Sequence, residues 1–352
     1  MHRHLPELTG RDACLAAMAL GTLRRRAGVQ PPDLDLLPEM AGVFERAMLR
    51  GDETVTLTEV ASFLSTCGQW RFRMPRSLLA GVRDWVTTAA GGGGAGAAPQ
   101  ALGPPASAAT LIRVWANHAE VRASSALALP MGVVEALTRS AAAGAGADER
   151  GGGFGGRKLS LTLYAAASLV RSAQQAARTP GRGQRMAGLD GDLARWAGLA
   201  IGRANPQEAQ QAQDLGMSVW ALNYLGVAPD AATAAAAGAQ AAALAVRLAP
   251  RQLLLLVATV AGPLAQWHEA GLAPCEAAAR ALCARAPAVL QEARPADTAR
   301  MADLLRALAA ATGVPAPALA EQGGTSMPKR GITRLRSASR SLCTQAAVCA
   351  PW

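Results

Sequence analysis

Apolar residues recur at helical spacing along most of the chain, and the clearest example is the segment 210–229. Its apolar positions fall on one helical stripe that contains Leu215, Val219 and Leu222. Gly226 predicts a helix C-cap, and Pro229 prevents the helix from continuing. A second helix is expected from Asp230 to Arg247, where most residues are Ala. The pattern therefore predicts two helices joined by a short turn.

This helix pair is repeated along the chain. A second unit begins at Leu248, 38 residues after Gln210, turns at Gly271 and continues in a helix predicted from Cys275 to Leu290. Weaker copies occur around Leu8, Leu57, Leu111, Leu159 and Leu304. Several copies begin with Leu-Thr or Leu-Ser (Thr9, Thr58, Ser160), whose hydroxyl predicts an N-cap.

The expected fold is therefore all-α, an α-solenoid of about seven degenerate helix-turn-helix repeats, because one such pair cannot bury its apolar face alone. The alternative is a helical bundle whose internal similarity reflects only its high content of Ala and Leu.

The repeats are interrupted by segments that cannot form a core. Gly-rich inserts are predicted near 90–105 and 141–156, and a short basic insert near 178–190. We expect a helical-repeat array over 1–321, followed by a basic, flexible tail over 322–352.

The composition agrees with helices and adds a strong positive charge. Aromatic residues make up only 4% of the chain, and the net charge is +10. Lys158 and Lys329 are the only lysines among 35 basic residues, so the other 33 are Arg. A GC-rich genome explains the excess of Arg over Lys. It does not explain the net charge, which favours an anionic partner, nucleic acid before a membrane surface.

Cysteine and histidine spacing predicts no metal site. The six cysteines contain no CxxC pair, and the four histidines lie far from any two cysteines. The cysteines are expected to be small core residues in a reducing compartment. No membrane span is predicted, since the apolar stretch 253–267 is too short. Neither a signal peptide nor room for a transit peptide is expected before the first repeat.

Candidate enzyme motifs fail in detail, so no catalytic residue and no cofactor is predicted. The stretch 151–159 resembles a phosphate-binding loop, but Arg157 separates the last Gly from Lys158, and Leu159 stands where Ser or Thr is needed. Asp190 and Asp192 lack the other ligands of a calcium loop. The sequence favours a protein that is not an enzyme.

The units beginning at Leu8, Leu57, Leu159, Gln210 and Leu248 resemble octotricopeptide repeats. The likeness rests on the Leu-[Thr/Ser] starts, on Val-Trp-Ala-Leu at 219–222 and on Gly-Val-Ala-Pro at 226–229. This is a helical-repeat family of green-algal organelles, related to FAST-kinase-domain and RAP-domain proteins.

The resemblance implies RNA binding in an organelle, with the mitochondrion favoured over the chloroplast. The degenerate repeats and long inserts favour a protein that clasps structured RNA, such as ribosomal RNA within a mitochondrial ribosome or another ribonucleoprotein. The alternatives are a factor for messenger-RNA maturation or stability, and a protein–protein scaffold.

Three groups of basic residues are the candidate RNA contacts. The last group belongs to a tail that has no acidic residue from Gln322 onward and carries five positive charges. The candidates are Arg24, Arg25, Arg26, Arg178, Arg182, Arg185, Lys329, Arg330, Arg334, Arg336 and Arg340. Helix capping by Arg24–Arg26 and a merely solvated tail are the alternatives. Trp115 and Trp220 lie on apolar stripes, so core packing is expected for them before base stacking.

Overall fold

A computed structural model of the chain describes residues 8–27, 36–70, 72–91, 103–145, 155–177, 188–202, 208–272 and 274–315. Across these ranges the fold is all-helical, with fifteen α-helices, one 3-10 helix (Ser125–Leu127) and no strand. The all-α prediction is confirmed.

The helices are α1 (Gly10–Ala27), α2 (Leu36–Leu49), α3 (Leu57–Gln69), α4 (Arg76–Gly91), α5 (Pro105–Asn117), α6 (Ala119–Ala123), α7 (Met131–Ala145), α8 (Gly156–Ala176), α9 (Asp190–Gly202), α10 (Glu208–Leu225), α11 (Ala231–Arg247), α12 (Pro250–Glu269), α13 (Glu276–Ala284), α14 (Ala286–Glu292) and α15 (Pro295–Thr312).

The chain divides into two compact units. The first comprises Met1–Gly153 and Ala165–Asp192, and the second comprises Phe154–Tyr164 and Leu193–Trp352. In both units, helices pack on helices two or three places further along the chain.

In the first unit, α1 packs on α3 and α3 on α5, while α2 packs on α4 and α4 on α7. Its core includes the stacked rings of Phe44 and Phe63, whose centroids are 4.4 Å apart. Leu64, Leu78 and Leu79 of the same unit are also fully buried. The apolar stripes of neighbouring helix pairs thus supply one continuous core.

In the second unit, α10 packs on α12 and α12 on α15, while α11 packs on α13 and α13 on α15. The predicted turn between α10 and α11 is confirmed. Gly226 has a φ of +70°, and the Val227 amide donates to the Leu222 carbonyl oxygen (3.0 Å), which closes a left-handed C-cap. Asp230 caps α11 by accepting from the Thr233 amide (2.6 Å).

The N-cap prediction is correct at one position and wrong at two. Thr9 precedes α1, and its Oγ1 accepts from the Asp12 amide (3.1 Å). At α3 the cap is Thr56, not Thr58, and Glu59 completes a capping box. Ser160 lies inside α8, where its hydroxyl donates to the Gly156 carbonyl oxygen (3.0 Å). Both helices begin before the expected hydroxyl, so that hydroxyl cannot reach the free amides of the first turn.

Two predicted boundaries also differ. α7 continues through Ala145, so the first residues of the Gly-rich insert expected near 141–156 are helical, and Ala141 and Ala142 are buried. The single helix predicted over Cys275–Leu290 is interrupted at Arg285, where α13 ends and α14 begins. Pro287 lies in the first turn of α14 because proline has no amide proton and is tolerated only near a helix start.

Candidate nucleic-acid interface

Most of the predicted RNA contacts lie outside the described residues. The backbone of Arg24, Arg25 and Arg26 belongs to the end of α1, but their side chains fall outside what the structure describes. The second and third groups are outside it entirely: Arg178, Arg182, Arg185, Lys329, Arg330, Arg334, Arg336 and Arg340. These contacts stay predictions.

The described part of the first unit contains a group of arginines that the sequence reasoning did not single out. Its members come from the segment before α4, from α4 itself and from α6: Arg73, Arg76, Arg83 and Arg122. We call this group the arginine cluster. Arg76 and Arg83 are seven residues apart and therefore lie on the same face of α4.

Glu120 of α6 holds two members of the cluster in place. Arg73 donates to its Oε1 through Nη2 (2.7 Å) and Nε (3.0 Å), and Arg76 donates to its Oε2 through Nε (3.3 Å). The Glu120 side chain is 13% exposed, whereas those of Arg73 and Arg76 are 85% and 73% exposed. One carboxylate therefore orders two guanidinium groups that still face solvent.

These hydrogen bonds also fix the charge of Glu120. The bonds from Arg73, and then those from Arg76, hold the pKa of the Glu120 carboxyl below its usual range, since they stabilise the ionised form. His118, between α5 and α6, adds no charge at neutral pH because burial lowers its pKa.

Arg83 and Arg122 extend the positive surface. Arg83 pairs with Asp84 (Nη2 to Oδ1, 2.6 Å) and donates to the carbonyl oxygen of Ala126 in the 3-10 helix. Arg122 is exposed. With Glu120 and Asp84 counted, the group has four positive and two negative charges, a net charge of +2. Exposed guanidinium groups of this kind bind phosphate oxygens bidentately.

A short segment of the sequence indicates part of this cluster. Residues 70–76 read Trp-Arg-Phe-Arg-Met-Pro-Arg, three arginines in six positions with a phenylalanine between two of them. The pairing with Glu120 carries no such signal, because that residue is 47 positions from Arg73 and 44 from Arg76.

Two tryptophans and four cysteines occupy the core positions that the sequence predicts. Trp115 and Trp220 are buried, which confirms core packing. Cys14, Cys67, Cys275 and Cys283 are buried free thiols, as expected of core residues, while Cys343 and Cys349 lie outside the described part of the chain.

Comparison with protein-family models and with curated proteins gives no match for this chain. Among the described helices, none is both long and apolar enough to span a bilayer. The residues that the structure describes also contain no group of three or more His, Cys, Asp or Glu side chains placed to hold a metal ion.

Proposed function

We propose that this chain is an organellar RNA-binding protein of the α-solenoid class, which holds structured RNA through arginine–phosphate contacts. The observation that carries the proposal is the arginine cluster, in which a half-buried carboxylate orders two exposed guanidinium groups. Ordered, exposed arginines suit the phosphate backbone because less side-chain entropy is lost when they bind.

The repeat pattern of contacts supports the solenoid part of the proposal. Within each unit, helices pack on helices two or three places further along the chain, as α1 does on α3 and α10 on α12. Hydrogen bonds between neighbouring pairs join residues about one repeat apart. Gln240 Nε2 donates to the Ile201 carbonyl oxygen 39 residues earlier, and Arg285 Nη1 donates to that of Ala245, 40 residues earlier. An array of about seven such pairs accounts for the length of the chain.

The charge distribution supports RNA as the partner. The net charge of +10 matches a polyanion, and the arginine cluster supplies contacts that read no sequence. The chain then clasps folded RNA, with ribosomal RNA in a mitochondrial ribonucleoprotein as the leading target. The alternative target is a messenger RNA, whose phosphates bind to arginine in the same way.

The test is an anisotropy titration of the full chain with a fluorescein-labelled RNA hairpin over a series of KCl concentrations. We expect Arg73→Gln/Arg76→Gln to weaken binding about tenfold and to reduce the slope of log K against log salt by about 1 to 2. Glu120→Gln removes a negative charge beside the two guanidinium groups but also weakens their ordering, so it is expected to change the affinity much less than the double variant does.

The matched control is Arg280→Gln/Arg294→Gln, which removes the same charge from two exposed positions of the second unit. Absence of RNA binding by the wild type at physiological ionic strength contradicts the proposal and favours a protein–protein scaffold. Equal losses in the two double variants contradict the assignment to the arginine cluster.

A further inference from the structure

The second unit contains a cluster of three aromatic rings, which we call the aromatic cluster. Tyr164 and Tyr224 are the only tyrosines of the chain, and both pack against Trp220. The ring centroids of Tyr164 and Trp220 are 4.8 Å apart with a tilt of 46°, and those of Trp220 and Tyr224 are 5.3 Å apart and nearly parallel, at 19°.

The three rings differ in how much they face solvent. Trp220 is 5% exposed, whereas both tyrosines are partly exposed. Trp220 and Tyr224 are four residues apart on α10, so they lie one turn apart on the same face of that helix. Trp220 thus forms a rigid support beneath two rings that remain accessible at the surface.

Positive charge lies close by on α8. Arg157 is seven residues before Tyr164, which places it on the same face of the helix and about 10 Å away along the helix axis. Its side chain stays 40% exposed although it pairs with the buried Asp214 carboxylate (Nη1 to Oδ1, 3.6 Å), and Lys158 beside it is exposed. Both belong to the first turn of α8, where the helix dipole also favours an anion.

We propose that the aromatic cluster is a stacking site for an unpaired RNA base, with Arg157 and Lys158 contacting the adjoining phosphates. The inference rests on the proposed function and deepens it, because it adds recognition of unpaired nucleotides to the phosphate contacts. Bases in loops and bulges expose their flat faces, and those faces stack on accessible aromatic rings supported by a rigid neighbour. A paired base within a duplex cannot present its face in this way.

The experiment compares two labelled RNAs of equal length, a hairpin with an unpaired loop and a blunt duplex, binding to the full chain. Tyr164→Leu/Tyr224→Leu removes both rings, and Tyr164→Phe/Tyr224→Phe is the matched control that keeps them. We expect the Leu variant to bind the hairpin about tenfold more weakly with an unchanged salt slope. The Phe variant should bind the hairpin like the wild type, and the duplex should not distinguish the three proteins.

A second measurement is independent of folding defects in the Leu variant. The hairpin is made with 5-iodouridine in its loop and crosslinked to the wild-type protein by light, and the adducts are mapped by mass spectrometry. Adducts on Tyr164 or Tyr224 are expected. Equal hairpin affinity of the wild-type and Leu proteins, or loop adducts found only elsewhere, overturns the stacking site while leaving the RNA proposal standing. Failure of the wild type to bind either RNA overturns both.

Discussion

Arg157 and Asp214 form an ion pair in which Nη1 and Oδ1 are 3.6 Å apart. This distance is too long for a hydrogen bond, and the Asp214 side chain is only 8% exposed. Burial raises the pKa of the Asp214 carboxyl from 3.8 to about 6, while the charge of Arg157 opposes the rise. The pair therefore does not compensate fully for the desolvation of the ionised carboxylate.

Asp214→Asn is expected to stabilise the protein at neutral pH. Because the pKa is higher in the folded state, the unfolded chain loses its proton first as the pH rises, and the folded state loses relative stability between about pH 4 and pH 6. A pKa difference of about two units corresponds to a change of at most about 3 kcal/mol in the free energy of unfolding. Urea unfolding of both proteins from acid to neutral pH should give nearly equal free energies of unfolding near pH 3 and a higher value for Asp214→Asn at pH 7.

The control for this prediction is Asp303→Asn, which changes an exposed carboxyl on α15. If the difference between Asp214→Asn and the wild type is independent of pH, the ionised state of Asp214 is not the cause.

Arg285 is predicted to stabilise the end of α11. Its Nη1 donates to the carbonyl oxygens of Ala245 (3.1 Å) and Val246 (3.0 Å), and its Nη2 donates to that of Leu248 (3.1 Å). Removal of the guanidinium leaves these carbonyls without a charged donor at the negative end of the helix dipole. Arg285→Met is expected to lower the free energy of unfolding by about 1–3 kcal/mol.

Arg285→Lys should lose less stability than Arg285→Met, because the Lys ammonium keeps the positive charge. It should still lose some stability, because an ammonium cannot form the bidentate hydrogen bonds of a guanidinium. Arg280→Met, at an exposed position on α13, is the matched control. Loss of equal stability in Arg280→Met and Arg285→Met in urea unfolding would show that the three hydrogen bonds contribute nothing measurable.

Gly216 allows α10 and α12 to approach closely. A Cβ atom at this position lies 2.6 Å from Thr259 Oγ1 and 3.4 Å from Thr259 Cβ, so the Thr259 side chain or one of the helices has to shift. Gly216→Ala is expected to destabilise the protein by about 1–3 kcal/mol, and the added change Thr259→Ala should recover much of that loss.

Gly191→Ala serves as the control for this cycle, since its Cβ meets no atom within 4 Å. It should be neutral or stabilising by about 0.4–1 kcal/mol. Additive effects of Gly216→Ala and Thr259→Ala in thermal or urea unfolding would contradict a direct steric contact.

The buried cysteines should be protected from thiol reagents. Burial raises the pKa of Cys67 to about 12 and that of Cys14 to about 11, and the thiolate is the reactive species. In a Cys343→Ser/Cys349→Ser background, Ellman's reagent should react with the four remaining thiols many times more slowly in native buffer than in urea. Rapid reaction of all four under native conditions is the contrary result.

Local sequence determined the helices and their turns. The apolar stripe of α10, the left-handed Gly226 and the Asp230 cap are all specified within a few residues, because helix hydrogen bonds and caps join near neighbours. The predicted core positions of Trp115 and Trp220 follow from the same periodicity. The degenerate repeat predicted an all-helical fold, which is confirmed, and its resemblance to an organellar family supplied the RNA hypothesis.

Only the tertiary structure decided which side chains meet. Glu120 orders Arg73 from 47 residues away, and Trp220 of α10 joins Tyr164 of α8. Thr58 and Ser160 were expected to cap helices, yet their hydroxyls lie 2.9 Å from Ser107 Oγ and 3.1 Å from Ser218 Oγ, respectively. Such contacts depend on how helices distant in sequence pack together. That packing is set by many apolar contacts at once and leaves no short motif in the chain.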